Sequence, residues 1–267
     1  MTIDAAQQPD EAEAELRRIA AAERLLVALD FDGTLSPLVD DPMQARMAPE
    51  ARAALDALIA APATTVALVS GRSLHDLREI AEHADDSPLL LAGSHGAEYW
   101  TPGAGAIEPD DDADERELRD TLRAHAEQTA AAFDGVWIEP KTFGFGVHTR
   151  LSSPEDAAAA REAIDGLVAA EAAGWRRRTG HNIVEYAFRQ EGKDTAVAAL
   201  RERTEATAVL FAGDDVTDED AIAGLDADDL GVRVGAGDTS AAIRVTDISA
   251  FAALLERLAE LRGAARE

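Results

Sequence analysis

The chain has 267 residues, 46% of them hydrophobic, with no cysteine and a formal net charge of -27. That length and apolar content suit one large domain or two modest ones with a real core, while the missing cysteine excludes disulfides, thiolate metal sites and cysteine nucleophiles together. The acidity argues against nucleic acid and anionic lipid as partners, because both are held mainly through excess Lys and Arg.

The first apolar run, Leu25 to Leu29, is continuous rather than alternating, as expected for a strand covered on both faces, and it ends in Asp30-Phe31-Asp32-Gly33-Thr34. A helix is predicted over 49–60, a strand over 64–69 ending at Ser70-Gly71-Arg72, a helix over 74–82, and a strand over 89–92 ending at Gly93-Ser94-His95-Gly96. Residues 102–109 are rich in glycine and proline, and with Asp110-Asp111-Asp112 they read as a linker. A helix-strand-strand pattern then occurs twice: helix 114–132 with strands 136–139 and 143–150, and helix 154–173 with strands 175–179 and 182–188. A helix over 194–204, a strand over 209–212 ending at Gly213-Asp214-Asp215, short strands at 231–234 and 243–246, and a helix over 248–262 complete the chain. This alternation predicts an α/β fold, a Rossmann-like doubly wound parallel sheet from 1–103 and 190–267, with a compact α+β insert at 104–189.

Acids placed just beyond a buried parallel strand lie where open α/β sheets do their chemistry. Asp30 can attack phosphorus, Asp32 can carry the leaving group's proton, and backbone N–H groups near Gly33 and Thr34 can hold phosphate oxygens. Acids before a glycine are also ordinary turn formers. Gly213-Asp214-Asp215-Val216-Thr217-Asp218-Glu219-Asp220 packs five acids into a short stretch. Thr217 with Asp220 reads there as a capping box, and Asp218 to Asp220 suit a helix's first turn. Asp214 and Asp215 precede that turn, and Asp214 with Asp30 would satisfy a magnesium ion's need for one or two carboxylates. The chain carries 23 arginines but only two lysines, Lys141 and Lys193, so each lysine marks a place that needs a compact ammonium rather than a planar fork. Ser70 and Gly71 can donate to a phosphate oxygen, leaving Ser73 to cap the following helix.

DFDGT, VSGR, a lysine and GDDVTDED in this order resemble the four motifs of the haloacid dehalogenase superfamily of phosphohydrolases. Within it, LDFDGTLSPLVDDP, VSGRSLHDL, GSHGAEYW, EPK followed by VHTR, and GDDVTDEDAI are most similar to the trehalose-6-phosphate phosphatase family, from about Leu25 to the C-terminal region. The resemblance implies that the insert is a C2-type cap domain for substrate recognition. Asp30 is then the nucleophile and Asp32 the general acid and base. Mg2+ is expected on Asp30, the Asp32 carbonyl, Asp214 and Asp215. Ser70 and Lys193 would bind the phosphoryl group, and Arg72, His95, Glu139, Lys141, Arg150 and Glu185 the sugar. The last four can equally be solvated cross-strand charges. The chain departs from the family at Gln190-Glu191-Gly192-Lys193-Asp194 and at His181, where a lysine is expected.

The expected reaction is hydrolysis of trehalose 6-phosphate through an aspartyl phosphate. Another sugar-phosphate phosphatase, a phosphomannomutase-like mutase and a non-catalytic phospho-aspartate switch remain alternatives. No run approaches the ~20 apolar residues that span a bilayer, and the first 24 residues lack a leader's order. The expectation is a cytoplasmic monomer acting on a small-molecule substrate, with no nucleic acid or membrane partner.

Overall fold

The computed structural model describes residues 2–107, 109, 113–180 and 182–264. Asp110 to Asp112 and His181, singled out above, lie outside the described residues. The chain divides into two compact units, one of Met1–Glu108 with Glu191–Glu267 and one of Pro109–Gln190.

In the first unit the elements in chain order are β1 (Ile3–Asp4), α1 (Pro9–Ala20), β2 (Leu25–Leu29), α2 (Pro49–Ala60), β3 (Thr64–Val69), α3 (Leu74–Ile80), β4 (Leu90–Gly93), β5 (Glu98–Thr101) and β6 (Gly105–Ile107). The second unit holds α4 (Ala113–Ala130), β7 (Trp137–Lys141), β8 (Gly144–His148), α5 (Pro154–Glu171), β9 (Arg176–Gly180) and β10 (Ile183–Ala187). The chain then returns to the first unit with α6 (Lys193–Thr204), β11 (Ala208–Gly213), α7 (Val216–Ala223), β12 (Leu230–Val234), β13 (Ile243–Val245) and α8 (Ile248–Ala264).

The large sheet has the order β1-β13-β12-β11-β2-β3-β4-β5-β6. It is parallel from β1 to β4 and antiparallel at β4–β5 and β5–β6. All five residues of β2 are buried, but they divide between two cores. Leu25, Val27 and Leu29 face one apolar cluster, and Leu26 and Ala28 face the other. A strand with helices on both faces has no polar side to present, which is why the apolar run is unbroken.

One stretch differs from the sequence-based expectation, and one helix, α1, falls where no element was expected. Residues 105–107, read as linker, form the last strand of the large sheet, with Trp100 packed in its core. Glycine-rich turns serve hairpins as readily as linkers, and only strand pairing separates the two. The N-terminal segment forms α1, whose Ala12, Leu16, Ile19 and Ala20 are buried at helical spacing. In the second unit α4 and α5 cover one face of an antiparallel sheet of order β7-β8-β10-β9, with Phe145, Val147, Val184 and Tyr186 in its core.

Arg262, 2% exposed, fastens α8 by donating to the carbonyls of Ala20, Ala22, Pro62 and Ala63 and to Thr64 Oγ1. Arg262→Met should lower unfolding free energy by about 3 kcal/mol or more, since it strands several buried acceptors; urea denaturation reads this directly. The net charge of -27 gives a second expectation. Self-repulsion favours the unfolded chain, and the Debye length shrinks from about 10 Å at 0.1 M to about 3 Å at 1 M salt, so KCl should raise the thermal midpoint across that range. A flat or falling midpoint would show that local ion pairs outweigh the repulsion.

Candidate active site

The chain leaves β2 toward β3 on one side, while β11 borders β2 on the other. Such a divergence opens a crevice at the strands' carboxyl ends. Asp30, the first residue beyond β2, is buried there, its N–H donating to Ala212 O at 2.9 Å. Lys193, the first residue of α6, donates from Nζ to Asp30 Oδ1 and to Asp218 Oδ1, each at 2.6 Å. Thr34 Oγ1 donates to the remaining Asp30 oxygen at 3.1 Å.

Asp218, on the first turn of α7, is fully buried, and its Oδ2 accepts the N–H groups of Asp214 at 3.1 Å and Asp215 at 2.9 Å. The helix N-cap is Asp215, so the cap and its returning carboxylate are Asp215 and Asp218, two residues earlier than the Thr217 and Asp220 expected. Two glycines make this packing possible. A Cβ on Gly213 would lie 2.1 Å from Asp218 Cγ, and one on Gly33, at φ +79°, would lie 2.0 Å from Asp214 Oδ2.

Ligand oxygens of Asp30, Asp214 and Asp218 lie within 4.8 Å of one another. Three acids face one ammonium, and the excess negative charge has a clear signature. Burial pushes the Asp30 carboxyl well above its ordinary range, with Asp218 and Asp214 adding and Lys193 opposing. Burial and Asp218 push Asp214 up to about 7. Burial works against the Lys193 ammonium, yet Asp218 and Asp30 hold it firmly in the charged form. Hard oxygen donors with uncompensated charge suit Mg2+. Asp218 has one oxygen filled by two amides and the other on Lys193, whereas each Asp30 oxygen accepts a single hydrogen bond and keeps a lone pair, so Asp30 and Asp214 are the residues that would hold the ion. Asp215, also expected there, is the N-cap of α7, and Asp32, expected to offer its carbonyl, has its carboxylate held by Arg72.

Asp32 is gripped in a bidentate fork, Arg72 Nε donating to Oδ2 and Nη2 to Oδ1, both at 2.7 Å. Ser70 is buried beyond β3, with its Oγ accepting the Arg72 N–H at 3.2 Å, while Ser73 caps α3 by accepting the Asp76 N–H at 3.1 Å. The His95 ring lies against Gly71, where a Cβ would come within 2.7 Å of it. Ser94 and His95 take left-handed φ values of 48° and 58°, and their N–H groups donate to Arg72 O and Ser70 O. Buried Glu98 accepts from Ser94 Oγ at 2.5 Å and from the Leu74 N–H at 3.1 Å. Arg72 and His95, expected to touch sugar, thus form part of the loop assembly at the ends of β3 and β4. Gly33, expected to donate to phosphate, spends its N–H on Ser36 O at 2.7 Å, because the turn closes on itself there.

The second unit carries its own polar cluster. Lys141 Nζ lies 3.0 Å from Glu139 Oε1 and 3.3 Å from Glu185 Oε1. Glu139 Oε2 is 2.7 Å from His148 Nε2, and the His148 ring stacks on Trp137 at 4.6 Å with the planes 2° apart. The Arg150 guanidinium lies 5.2 Å from the Trp137 ring centre. Burial would push the Glu139 carboxyl up, but the His148 hydrogen bond and Lys141 bring it below its usual value. Burial opposes the Lys141 ammonium, yet Glu185 and Glu139 raise it.

The structure brings Asp30, Asp214 and Lys193 together, and puts the Thr34 hydroxyl, rather than its expected backbone N–H, to use on Asp30. Sequence reasoning missed Asp218, whose signal was its position three residues after an N-cap. It missed Glu98 and His148 too; His148 sits on the open face beside Gly144 and Gly146, but only the Trp137↔His148 register places it next to Glu139.

A family model described as trehalose-phosphatase matches residues 28–245. The chain belongs to the trehalose-phosphatase family. It is 34% identical over 206 residues to a trehalose-phosphate phosphatase of Mycolicibacterium paratuberculosis, covering 73% of this chain and 50% of that protein. It is 35% identical over 225 residues to an uncharacterized glycosyl hydrolase of Mycobacterium tuberculosis, covering 78% of this chain and 16% of the other. The chain therefore spans half or less of the length of these relatives. The solved C-terminal domain of a Candida albicans trehalose-6-phosphate phosphatase shares the fold, with a TM-score of 0.77, 21% identity and 98% of each chain covered.

The charge excess yields a pH prediction. Asp214 keeps its proton up to about 7 instead of losing it near 3.8, and a cation requires the carboxylate. Mg2+ affinity should therefore fall by at least about tenfold per pH unit below that value, with one or more protons released on binding at pH 6, since the Asp30 carboxyl is raised as well. Calorimetry in buffers of different ionisation enthalpy checks this, and Asp214→Asn should reduce the release.

Proposed function

We propose that this family member is a Mg2+-dependent phosphatase that hydrolyses trehalose 6-phosphate to trehalose and inorganic phosphate through an aspartyl phosphate on Asp30. The observation that carries the reading is Asp30 itself, buried at the switch point with one oxygen on Lys193 and the other on Thr34. Those two donors fix the carboxylate's direction, so an attacking oxygen need not search for its line of approach. When bound, Mg2+ supplies charge that offsets the repulsion between this carboxylate and a phosphate dianion.

Asp32 manages the proton. In the first step it gives one to the departing sugar oxygen, and in the second, as a carboxylate, it takes one from the attacking water. Both Asp32 oxygens accept from Arg72 in this structure, so donation in the first step requires that fork to open. To Lys193 and Ser70 we assign the phosphoryl oxygens. To the second unit we assign recognition of the sugar through Glu139, Lys141, Glu185 and Arg150. Polar groups arranged to hydrogen-bond sugar hydroxyls discriminate against ligands that leave them unpaired.

Phosphate release should require Mg2+ and favour trehalose 6-phosphate by at least about tenfold in kcat/KM over glucose 6-phosphate, sucrose 6-phosphate and mannose phosphates. Asp30→Asn should lower turnover by at least about 10³-fold without loss of fold. Accumulation of an isomeric sugar phosphate with little free phosphate would instead identify a mutase.

A further inference from the structure

β12 and β13 set two arginines directly opposite one another, with Arg233 and Arg244 as Cα partners. Like charges in that register are destabilising unless something offsets them. Both side chains reach the same glycine-bearing loop. Arg233 donates from Nη2 at 3.0 Å and Nε at 3.3 Å to Ala236 O, and Arg244 donates to Gly235 O at 2.6 Å and to Gly237 O.

Of the two, only Arg233 continues beyond that loop. Its Nη1 donates to Asp215 O at 2.9 Å and to Glu219 Oε1 at 3.3 Å, and Arg233 is buried. Glu219 Oε2 accepts the Ser240 N–H at 2.9 Å, so the loop and the first turn of α7 are joined through both residues. The peptide units around Asp214 and Asp215 are thereby held from two sides. Asp218 takes both N–H groups, and Arg233 takes the Asp215 carbonyl.

We propose that Arg233 is a positioning residue for the cation site, setting the Asp214 carboxylate against Gly33 by fixing the backbone of the Asp214–Asp215 pair. It acts, on the reading of Asp30 and Asp214 as cation ligands, through the ligand's own peptide rather than by touching ion or substrate. A site of this kind tolerates little displacement, because Asp214 already fills the space left by the absent Gly33 side chain. Partners behind metal ligands typically control affinity by tenfold to hundredfold.

Mn2+ binding, followed by its electron paramagnetic resonance signal in the substrate-free full chain, tests this. Arg233→Met should weaken Mn2+ binding by about tenfold to hundredfold, while Arg244→Met, which removes the neighbouring brace on the same loop, should leave it within about twofold. Arg233→Lys keeps the charge but cannot span Ala236 O, Asp215 O and Glu219 together, so it should behave like the methionine variant and also serves if that variant does not fold. In turnover, both Arg233 variants should need more Mg2+ for half-maximal rate, with KM for the sugar phosphate little changed.

Unaltered Mn2+ affinity in Arg233→Met, equal weakening in Arg244→Met, or full recovery in Arg233→Lys would each overturn the assignment. Any of these beside an inactive Asp30→Asn would leave the phosphatase reading standing. A parent chain that binds no Mn2+ would overturn both.

Discussion

A single ammonium held between two buried carboxylates organises the candidate active site. Lys193 Nζ joins Asp30, which is 163 residues away in sequence, to Asp218, which is 25 away, and so ties the ends of β2, α6 and α7 together. Breaking a buried pair of this kind by removing one partner typically costs about 3–5 kcal/mol, because a desolvated charge is left behind. Lys193 also stands at a helix N-terminus, where the dipole disfavours a cation. The two carboxylates outweigh that penalty.

The same arrangement leaves the cleft one cation short. Asp214 lies close enough to Asp30 and Asp218 to suffer from both, and it can be there only because Gly33 has no side chain. Packing thus concentrates negative charge where solvent cannot dissipate it. A hard divalent ion would relieve that excess of charge.

Both lysines of the chain are used in one way. Lys193 lies between Asp30 and Asp218 in the first unit, and Lys141 lies between Glu139 and Glu185 in the second. A small ammonium with three rotatable donors fits between two acids that approach from different strands or helices. Arginine is kept for planar pairing, as in the Arg72 fork on Asp32, or for gathering carbonyls, as at Arg233 and Arg262. In a chain of net charge -27, these few inward-facing cations decide the local sign of each site.

The sequence by itself determined the strand-helix alternation, the placement of Asp30, Ser70 and Asp214 just beyond buried strands, and the rarity that marked Lys141 and Lys193. Those features are local: a continuous apolar run, a turn and a rare residue type can be read without knowing what lies opposite. Tertiary structure decided which acid completes the cluster, choosing Asp218 over Asp215. It also turned 105–107 into a strand, gave Asp32 to Arg72, and set His148 against Glu139 and Trp137. Each of those outcomes depends on register or on packing between distant elements, and a carboxylate's charge partner is fixed by where the chain returns rather than by its neighbours in sequence.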